Sequence, residues 1–305
     1  MILQYNHLSD FPSVFQSLTG LRVSEFDELY KDLQGYYVEA EWRRLERADR
    51  KREMGAGRRF ALSARDQILL TVVWLRVYPT YEVLGYLFGV SDTTTGRIVE
   101  RLVPMLEQLG RDTMRLPKPS RKRRRQLDDL LRDIPELAVV VDSFEQRVQR
   151  PVDQAAAAGL YSGKKKMHTL KSQVAVHEDS GHLVDVSESV PGPTADLNLL
   201  KRSGLLKRLP TGVRAIGDLG YFGIGALGRG SSPRRKPRGK PRPPTDIDYN
   251  TAFSRRRIIV EHTIGRIRRY QALSQTDRHH RQLHTARVCA VAGLVNRQLA
   301  ARLPF

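Results

Sequence analysis

The stretch Leu137-Ala138-Val139-Val140-Val141-Asp142-Ser143 decides the fold class that this sequence predicts. A short apolar run of this kind is typical of a strand that is buried on both faces. The run ends at Asp142, and a carboxylate at a buried position is costly unless it meets a cation. The pattern returns where Val213 to Gly217 precedes Asp218. The sequence therefore predicts two strands whose ends bring two aspartates to a cation.

The signals around these two strands complete an α/β region. Turn residues at 178–181 separate two further strand patterns and predict a hairpin. The predicted elements are strands at 137–142, 169–177, 182–189 and 213–218 and helices after Thr194, at 255–270 and at 283–303. Strands and helices in this order predict a mixed sheet flanked by helices.

Glu261 is the third acidic residue of interest, and it lies inside the basic helix predicted at 255–270. Arg257 precedes it by four residues and Arg268 follows it by seven, so the three share one helix face. Arginine binds two phosphate oxygens at once, which predicts DNA contacts from both arginines. The alternative is that they are solvent-facing partners of Glu261. Carboxylates are suitable ligands for Mg²⁺, so the three acidic residues predict a metal site.

Helical patterns fill the N-terminal part of the chain. Ser63 is predicted to cap a helix that spans 64–77, and a second helix follows Thr80. After a turn at Gly89, Ser91 opens a third helix that runs to about Gln108. Helix, short turn and helix is the helix-turn-helix pattern. The third helix would then contact DNA through Thr93, Thr94, Thr95 and Arg97. An ordinary three-helix packing unit is the alternative.

Composition limits the classes of partner. The 305 residues include 52 Lys+Arg and 33 Asp+Glu, which gives a formal charge of +19 and a pI near 10.4. Such a charge favours polyanions such as DNA or RNA, and a ribosome-associated protein is the alternative. No run approaches the ~18 apolar residues of a membrane span, so no membrane partner is expected. The single cysteine, Cys289, excludes a disulfide framework within one chain and indicates a reducing cytoplasm.

Three basic segments lie outside the predicted helices. The linker at 116–136 and an insertion at about 228–245 contain few core residues, and we expect the insertion to be mobile without DNA. Solvated charge runs are the bland alternative. The candidate phosphate contacts of the linker are Arg121, Lys122, Arg123, Arg124 and Arg125. The candidate contacts of a loop rim beside Asp142 are Lys164, Lys165, Lys166, His168 and Lys171. The histidines His279, His280 and His284 are predicted to be surface residues near DNA phosphate.

These patterns divide the chain into four parts. They are an N-terminal helical region at 1–60, a helix-turn-helix domain at 61–115, the basic linker at 116–136, and a catalytic α/β domain at 137–305.

Five segments, taken together, resemble the DDE transposases of bacterial insertion sequences, in particular insertion-sequence family five and the related Harbinger-like group. The segments are 139–143, 161–171, 191–196, 217–223 and 257–268 around Glu261. Each is a weak motif alone, but five in this order are specific. The resemblance covers most of the chain, from the helix-turn-helix to the last helices.

The resemblance implies an RNase H-like domain in which Asp142, Asp218 and Glu261 bind two Mg²⁺ or Mn²⁺ ions per active site. It implies a transposase that binds terminal inverted repeats, hydrolyses phosphodiester bonds at transposon ends and joins the 3′-OH ends to target DNA. Double-stranded DNA is the expected partner, and a homodimer is the simplest assembly that cuts both ends together. We expect the protein in the bacterial cytoplasm, on the nucleoid when it binds DNA. The alternatives are an RNase H-like nuclease that does not transpose and a non-catalytic DNA-binding regulator.

Overall fold

The computed structural model describes residues 2–46, 60–118 and 137–302. The described residues up to 118 are mainly helical. Helices α1 to α6 span Tyr5–Leu8, Pro12–Thr19, Val23–Leu45, Ala64–Val77, Tyr81–Phe88 and Asp92–Asp112. The predicted helix-turn-helix corresponds to α4, α5 and α6. The basic run Arg121 to Arg125 lies outside the described residues. No helix in the described ranges has both the length and the apolar composition needed to cross a membrane.

The helix-turn-helix begins at the caps that the sequence predicts. The Ser63 hydroxyl accepts a hydrogen bond from the backbone N–H of Asp66 at 3.1 Å. The Ser91 hydroxyl likewise accepts from the N–H of Thr94 at 3.2 Å. Each bond satisfies one of the N–H groups that a helix start leaves without a partner. These local bonds explain why α4 and α6 start where they do.

The α/β part contains a seven-stranded sheet. Strands β1 to β7 span Leu137–Arg147, Tyr161–Ser162, Met167–His177, Leu183–Val186, Val190–Pro191, Val213–Ile216 and Gly230–Ser231. Helices α7 to α11 span Gln154–Leu160, Asp196–Ser203, Leu205–Arg208, Pro244–Arg268 and His284–Ala300. Strand β1 is central, with β3 antiparallel on one side and β6 parallel on the other. Beyond them, β7 pairs parallel with β6, and β2, β4 and β5 pair antiparallel with β3. This is the mixed sheet flanked by helices that the sequence predicts.

The apolar run of β1 is buried on both faces of the sheet. Val139 and Val141 pack into one cluster with Leu200 of α8 and Leu205 of α9. The alternate residue Val140 belongs to a second cluster, which continues into α10, α11 and the N-terminal helices. The helix-turn-helix therefore shares a hydrophobic core with the sheet and is not an independently packed unit.

A close helix crossing fixes this shared core. A side chain at Gly293 of α11 would place its Cβ 2.4 Å from the Cα of Gly110 in α6. A side chain at Gly110 would in turn lie 2.4 Å from the carbonyl oxygen of Cys289. Both distances are far below van der Waals contact, so only glycine allows the two backbones to approach this closely. Helix α6, the third helix of the predicted helix-turn-helix, is thus packed directly against α11, the last helix of the sheet domain.

Strand β1 and helix α10 extend furthest beyond their predicted bounds. Strand β1 continues past Asp142 to Arg147, because β3 pairs with it along that whole length. Helix α10 begins at Pro244 instead of Arg255. The added first turns of α10 carry many polar residues, so apolar periodicity did not reveal them.

The basic insertion at 228–245 contacts the rest of the fold at several points, and its mobility without DNA stays a prediction. Its start forms β7 beside β6. Further along, the backbone N–H of Arg234 donates to the side chain of Asn250 at 2.8 Å. The Arg234 guanidinium also pairs with Asp246 at 3.0 Å. Polar anchoring of this kind leaves no hydrophobic pattern, which is why the sequence did not predict it.

Candidate active site

Asp142 and Asp218 reach the same level of two adjacent strands. Strands β1 and β6 run parallel, and Val140 pairs with Ile216. Each aspartate follows its paired residue by two positions, so the two acidic residues lie side by side at the same height of the sheet. Both side chains are partly buried. The fold therefore brings together the two aspartates that the sequence singled out.

The carboxyl group of Asp142 is strongly perturbed. Burial is the main cause that raises its pKa from 3.8 to about 6, and the negative charge of Asp218 raises it further. The backbone N–H of Ser143, which donates to this carboxylate at 2.8 Å, and the charge of Arg257 act in the opposite direction. Burial and a second carboxylate both disfavour the charged form. An added cation would therefore stabilise the ionised pair.

Asp218 is held by the tight turn that follows β6. Its carboxylate accepts a hydrogen bond from the backbone N–H of Gly220 at 2.9 Å. This bond caps a 3₁₀ turn at Leu219–Tyr221, and the Tyr221 ring is fully buried beneath it. A side chain at Gly217 would collide with that ring at 2.6 Å. The Gly-Asp-Leu-Gly-Tyr sequence thus builds a turn that fixes the direction of the Asp218 carboxylate.

Helix α10 brings an arginine to the aspartates. The Arg257 guanidinium lies 3.9 Å from the Asp142 carboxylate, and its side chain is only 12% exposed. The neighbouring Arg256 forms a buried ion pair with Glu178, at 2.6 Å in one of its bonds, and fastens α10 to the turn between β3 and β4. Arg257 is thus positioned to balance part of the negative charge of the site.

Glu261 lies one helical turn beyond Arg257 on α10 and is exposed to solvent. It lines a groove of about 510 Å³ together with Arg242, Ser254 and Arg255. Within residues 2–46, 60–118 and 137–302, no group of three or more His, Cys, Asp or Glu side chains is arranged to hold a metal ion. The structure therefore brings Asp142 and Asp218 together, and it places Glu261 on α10, one turn from the arginine that contacts Asp142.

The predicted loop rim separates into outward and inward residues. Lys164, Lys165 and Lys166 lie in the exposed turn between β2 and β3. His168 is half-buried against the ring of Tyr161, with ring centres 5.6 Å apart. Lys171 points inward, which is discussed next. The three exposed lysines remain candidates for phosphate contacts, as does the exposed Arg268 near the end of α10.

Lys171 belongs to an internal polar network rather than to a surface. Its ammonium group donates to Asp196 at 2.9 Å and to the carbonyl of Thr194 at 2.7 Å, and it lies 3.7 Å from Glu145. The side chain is 9% exposed, so it cannot reach DNA in this arrangement. The sequence alone did not connect these residues. The alternation of polar residues after Asp142 on β1, at Ser143 and Glu145, was the available signal.

The start of α6 presents part of the predicted DNA-reading surface. Thr93 and Arg97 are exposed, and Thr94 is half-buried. Thr95 is fully buried, and its hydroxyl donates to the carbonyl of Ser91 at 3.0 Å. Since Thr95 is used inside the turn, it leaves the candidate DNA-contacting set.

The histidines near the C-terminus are not uniformly on the surface. His284 is fully buried, between the side chains of Gln146 at 2.8 Å and Ser189 at 2.7 Å. Burial lowers its pKa to about 3. His279 packs among the rings of Trp74, Tyr78 and Tyr81. The prediction of surface histidines near DNA is therefore wrong for His284, which is a neutral core residue.

Comparison with known protein families agrees with this architecture. The profile of the family described as DDE superfamily endonuclease matches residues 141–296. A second profile, described as the helix-turn-helix of DDE superfamily endonuclease, matches residues 60–112. The first match spans the strand and helix that carry Asp142 and Glu261, and the second spans α4 to α6. The predicted helix-turn-helix is thereby confirmed.

Two known protein sequences are similar to this chain over most of their length. The chain is 30% identical over 258 residues to a probable transposase for insertion sequence element IS702 of Microchaete diplosiphon, which covers 84% of this chain and 88% of that protein. It is 26% identical over 263 residues to a putative transposase for insertion sequence element IS112 of Streptomyces albus G, with 86% of each chain covered. No solved structure matches the chain. With a family profile over half of its residues and a relative aligned along nearly its whole length, the chain belongs to the DDE superfamily of endonucleases.

Proposed function

We propose that this protein is a metal-dependent transposase of an insertion sequence. It binds the terminal inverted repeats of its element, hydrolyses the phosphodiester bond at each end and joins the 3′-OH ends to target DNA. The observation that carries the proposal is the pair Asp142 and Asp218, aligned on parallel strands in a chain of the DDE superfamily. The relatives named as insertion sequence transposases support it. An RNase H-like fold and membership of insertion-sequence family five or the Harbinger-like group are parts of the same proposal.

The metal ligands in this proposal are Asp142, Asp218 and Glu261, which would hold two Mg²⁺ or Mn²⁺ ions. The donors fit, because Mg²⁺ is commonly bound by one or two carboxylates together with waters and substrate phosphate oxygens. Burial and the neighbouring Asp218 raise the pKa of Asp142, and a bound cation would offset both effects. Glu261 is proposed as a ligand because α10 carries it one turn from Arg257, which contacts Asp142. When bound, two such ions activate the attacking oxygen and stabilise the leaving oxygen.

The basic residues of the chain would bind and orient the DNA. Arg257 lies beside Asp142 and is placed to hold a phosphate next to the scissile bond. The exposed start of α6 would read the repeat, and the surrounding phosphates would meet flexible cationic side chains. The proposed phosphate contacts are Lys164, Lys165, Lys166, His168 and Arg268, with the run Arg121 to Arg125 in the linker.

Cutting both ends of an element requires two active sites to act together. We therefore propose a homodimer on double-stranded DNA, in the bacterial cytoplasm and on the nucleoid. The large positive charge of the chain favours DNA as the partner, since the release of counterions from DNA supports binding.

A cleavage and joining assay tests the proposal. The full chain is incubated with a duplex that carries the inverted repeats flanking its gene, a supercoiled target plasmid and Mg²⁺. We expect nicks at the repeat ends, joined products in the plasmid and no reaction with EDTA or scrambled repeats. Cleavage without joining would identify a nuclease that does not transpose. Specific binding without cleavage would identify a DNA-binding regulator.

A further inference from the structure

Asp196 lies at the start of α8 and connects three separate segments of the sheet domain. Its carboxylate accepts a hydrogen bond from the hydroxyl of Ser143 on β1 at 2.7 Å. It also accepts from the ammonium group of Lys171 on β3 at 2.9 Å. Lys171 in turn lies 3.7 Å from Glu145, whose carboxylate accepts from the hydroxyl of Thr169 at 2.7 Å. These groups form a closed polar network with two carboxylates and one ammonium group.

The network supports the candidate active site from the opposite face of the sheet. Successive side chains of a strand point to opposite faces, so Ser143 and Glu145 lie on the other side of β1 from Asp142. Ser143 nevertheless acts on Asp142, because its backbone N–H donates to that carboxylate at 2.8 Å. Asp196 therefore fixes Ser143 through its hydroxyl, and Ser143 in turn orients the Asp142 carboxylate through its backbone N–H.

The same carboxylate also meets the turn that carries Asp218. A side chain at Gly220 would place its Cβ 2.5 Å from Asp196 and 2.9 Å from Asp218. The absence of a side chain at Gly220 thus allows both carboxylates to pack against one backbone segment. That segment also donates the N–H that orients Asp218. Asp196 therefore bonds to Ser143, next to Asp142 on β1, and lies close to the turn after β6 that carries Asp218.

We propose that Asp196, held by Lys171, is a positioning residue that sets the relative placement of the Asp142 and Asp218 carboxylates and thereby their affinity for a divalent cation. This inference rests on the proposed function, because it assumes that the two aspartates bind a cation. Partners that orient metal ligands commonly change metal affinity by about 10- to 100-fold when they are removed.

The ion pair between Asp185 and Arg208 serves as a control, because it lets a purely structural role be distinguished from a positioning role. Asp185 on β4 pairs with Arg208 at 2.9 Å, and its side chain is 13% exposed, against 18% for Asp196. Asp185 makes the same kind of contact at the same distance, but it touches neither Ser143 nor the Gly220 turn. Removing either aspartate costs one ion pair of a mostly buried carboxylate, although the cation partner is 9% exposed for Lys171 and 49% exposed for Arg208. Of the two aspartates, Asp196 is the one that also bonds to Ser143 beside Asp142.

Calorimetric titration of the full chain with Mn²⁺ tests the proposal without reference to catalysis. The variants are Asp196→Ala, Ser143→Ala, Asp196→Asn and the matched control Asp185→Ala, each checked by thermal unfolding. We expect Asp196→Ala and Ser143→Ala to weaken Mn²⁺ binding by about tenfold or more. Asp196→Asn keeps the shape and the acceptor oxygen, so its affinity should stay within about threefold of the wild type. Asp185→Ala should leave the affinity within about twofold.

The outcomes distinguish failure of the positioning role of Asp196 from failure of the proposed metal site. Wild-type affinity in both Asp196→Ala and Ser143→Ala would overturn the positioning role and leave the proposed function intact. If Asp196→Asn binds as weakly as Asp196→Ala, the charge itself is needed and a positioning role is wrong. Should Asp196→Ala fail to fold, Ser143→Ala carries the same test. A wild-type protein that binds no Mn²⁺ would overturn the metal site and, with it, the inference.

Discussion

The helix-turn-helix and the acidic site are held together by different kinds of interaction. Helices α4 to α6 are fixed by caps within one turn of sequence and by apolar side chains that pack into a large core. The acidic site is fixed by polar contacts between β1, β3, α8 and α10, which are far apart in the sequence. In the helix-turn-helix a single side chain mainly fills volume in the core. In the acidic site a single side chain orients a carboxylate.

This difference indicates how each region should respond to mutation. Apolar packing resists changes in volume and backbone distance, and its loss appears as lower stability. Polar networks that orient carboxylates contribute less to stability, and their loss appears as lower function. The predictions below separate these two responses.

The largest effect is expected at the acidic site. Asp142→Asn, Asp218→Asn and Glu261→Gln should each reduce metal-dependent DNA cleavage by about 10³-fold or more, equivalent to about 4 kcal/mol of transition-state stabilisation. Each change removes a charge from a proposed ligand and keeps its shape. Cleavage is measured on end-labelled repeat DNA, and binding of the same DNA by gel shift should remain measurable.

The control for Glu261 is Asp248→Asn, which removes an exposed carboxylate from the same helix. We expect it to cleave like the wild type. Full cleavage by Glu261→Gln would show that the site consists of Asp142 and Asp218 without Glu261.

A second prediction concerns the crossing of α6 and α11. Gly293→Ala should destabilise the protein by roughly 1–3 kcal/mol, because the added methyl group meets the backbone of Gly110 and forces the helices apart. Chemical denaturation measures this loss. Since both regions share one core, the unfolding signals of the N-terminal helices and of the sheet should shift together.

The matched change is Gly265→Ala in α10, where nothing lies within 4 Å of the new methyl group. There the substitution should be neutral or stabilising by up to about 1 kcal/mol, since alanine favours helix over glycine. Equal effects of the two substitutions would mean that the helices are not packed as closely as the structure shows.

The same contrast explains how much the sequence could predict. Helix α4 matches its predicted bounds because Ser63 and Pro79 mark both ends locally. For β1 and β6 the sequence predicted the two strands, because each is an apolar run followed by an aspartate, but it did not predict their parallel pairing. The approach of Lys171 to Glu145 was not predictable, because it depends on the register that places these two residues opposite each other across β1 and β3. Local signals fixed the elements, whereas long-range register determined which charged residues face inward.

A third prediction uses the buried histidine of the α/β region. Because burial lowers the pKa of His284 to about 3 in the folded state, the unfolded chain binds more protons below its ordinary value of 6.5. The stabilisation from neutral His284 is therefore complete above pH 6.5 and is lost as the pH falls towards 3, by about 1.4 kcal/mol per pH unit. Denaturation at several pH values should show this decline.

His284→Asn should make that decline shallower by the contribution of one proton. The pKa of His279 is also lowered, to about 4, so some acid sensitivity will remain in the variant. An unchanged pH dependence in His284→Asn would mean that His284 is not the neutral buried residue described above.

The smallest effect is expected at the start of α6, the proposed DNA-reading surface, where Thr93 and Arg97 are exposed. Arg97→Ala should weaken binding to the repeat ends by about tenfold, or roughly 1.4 kcal/mol, since one cationic contact at the start of α6 is lost. Arg111→Ala is the control, because it removes the same charge about 21 Å further along the same helix. Affinities for repeat and random duplex are measured across a salt series. If Arg97 contacts a phosphate, the slope of log affinity against log salt should fall by about 0.9. If both variants bind like the wild type, the first turns of α6 do not read the repeat. The helix-turn-helix would then not be the region that recognises DNA, and its comparison with the active site would lose its functional meaning.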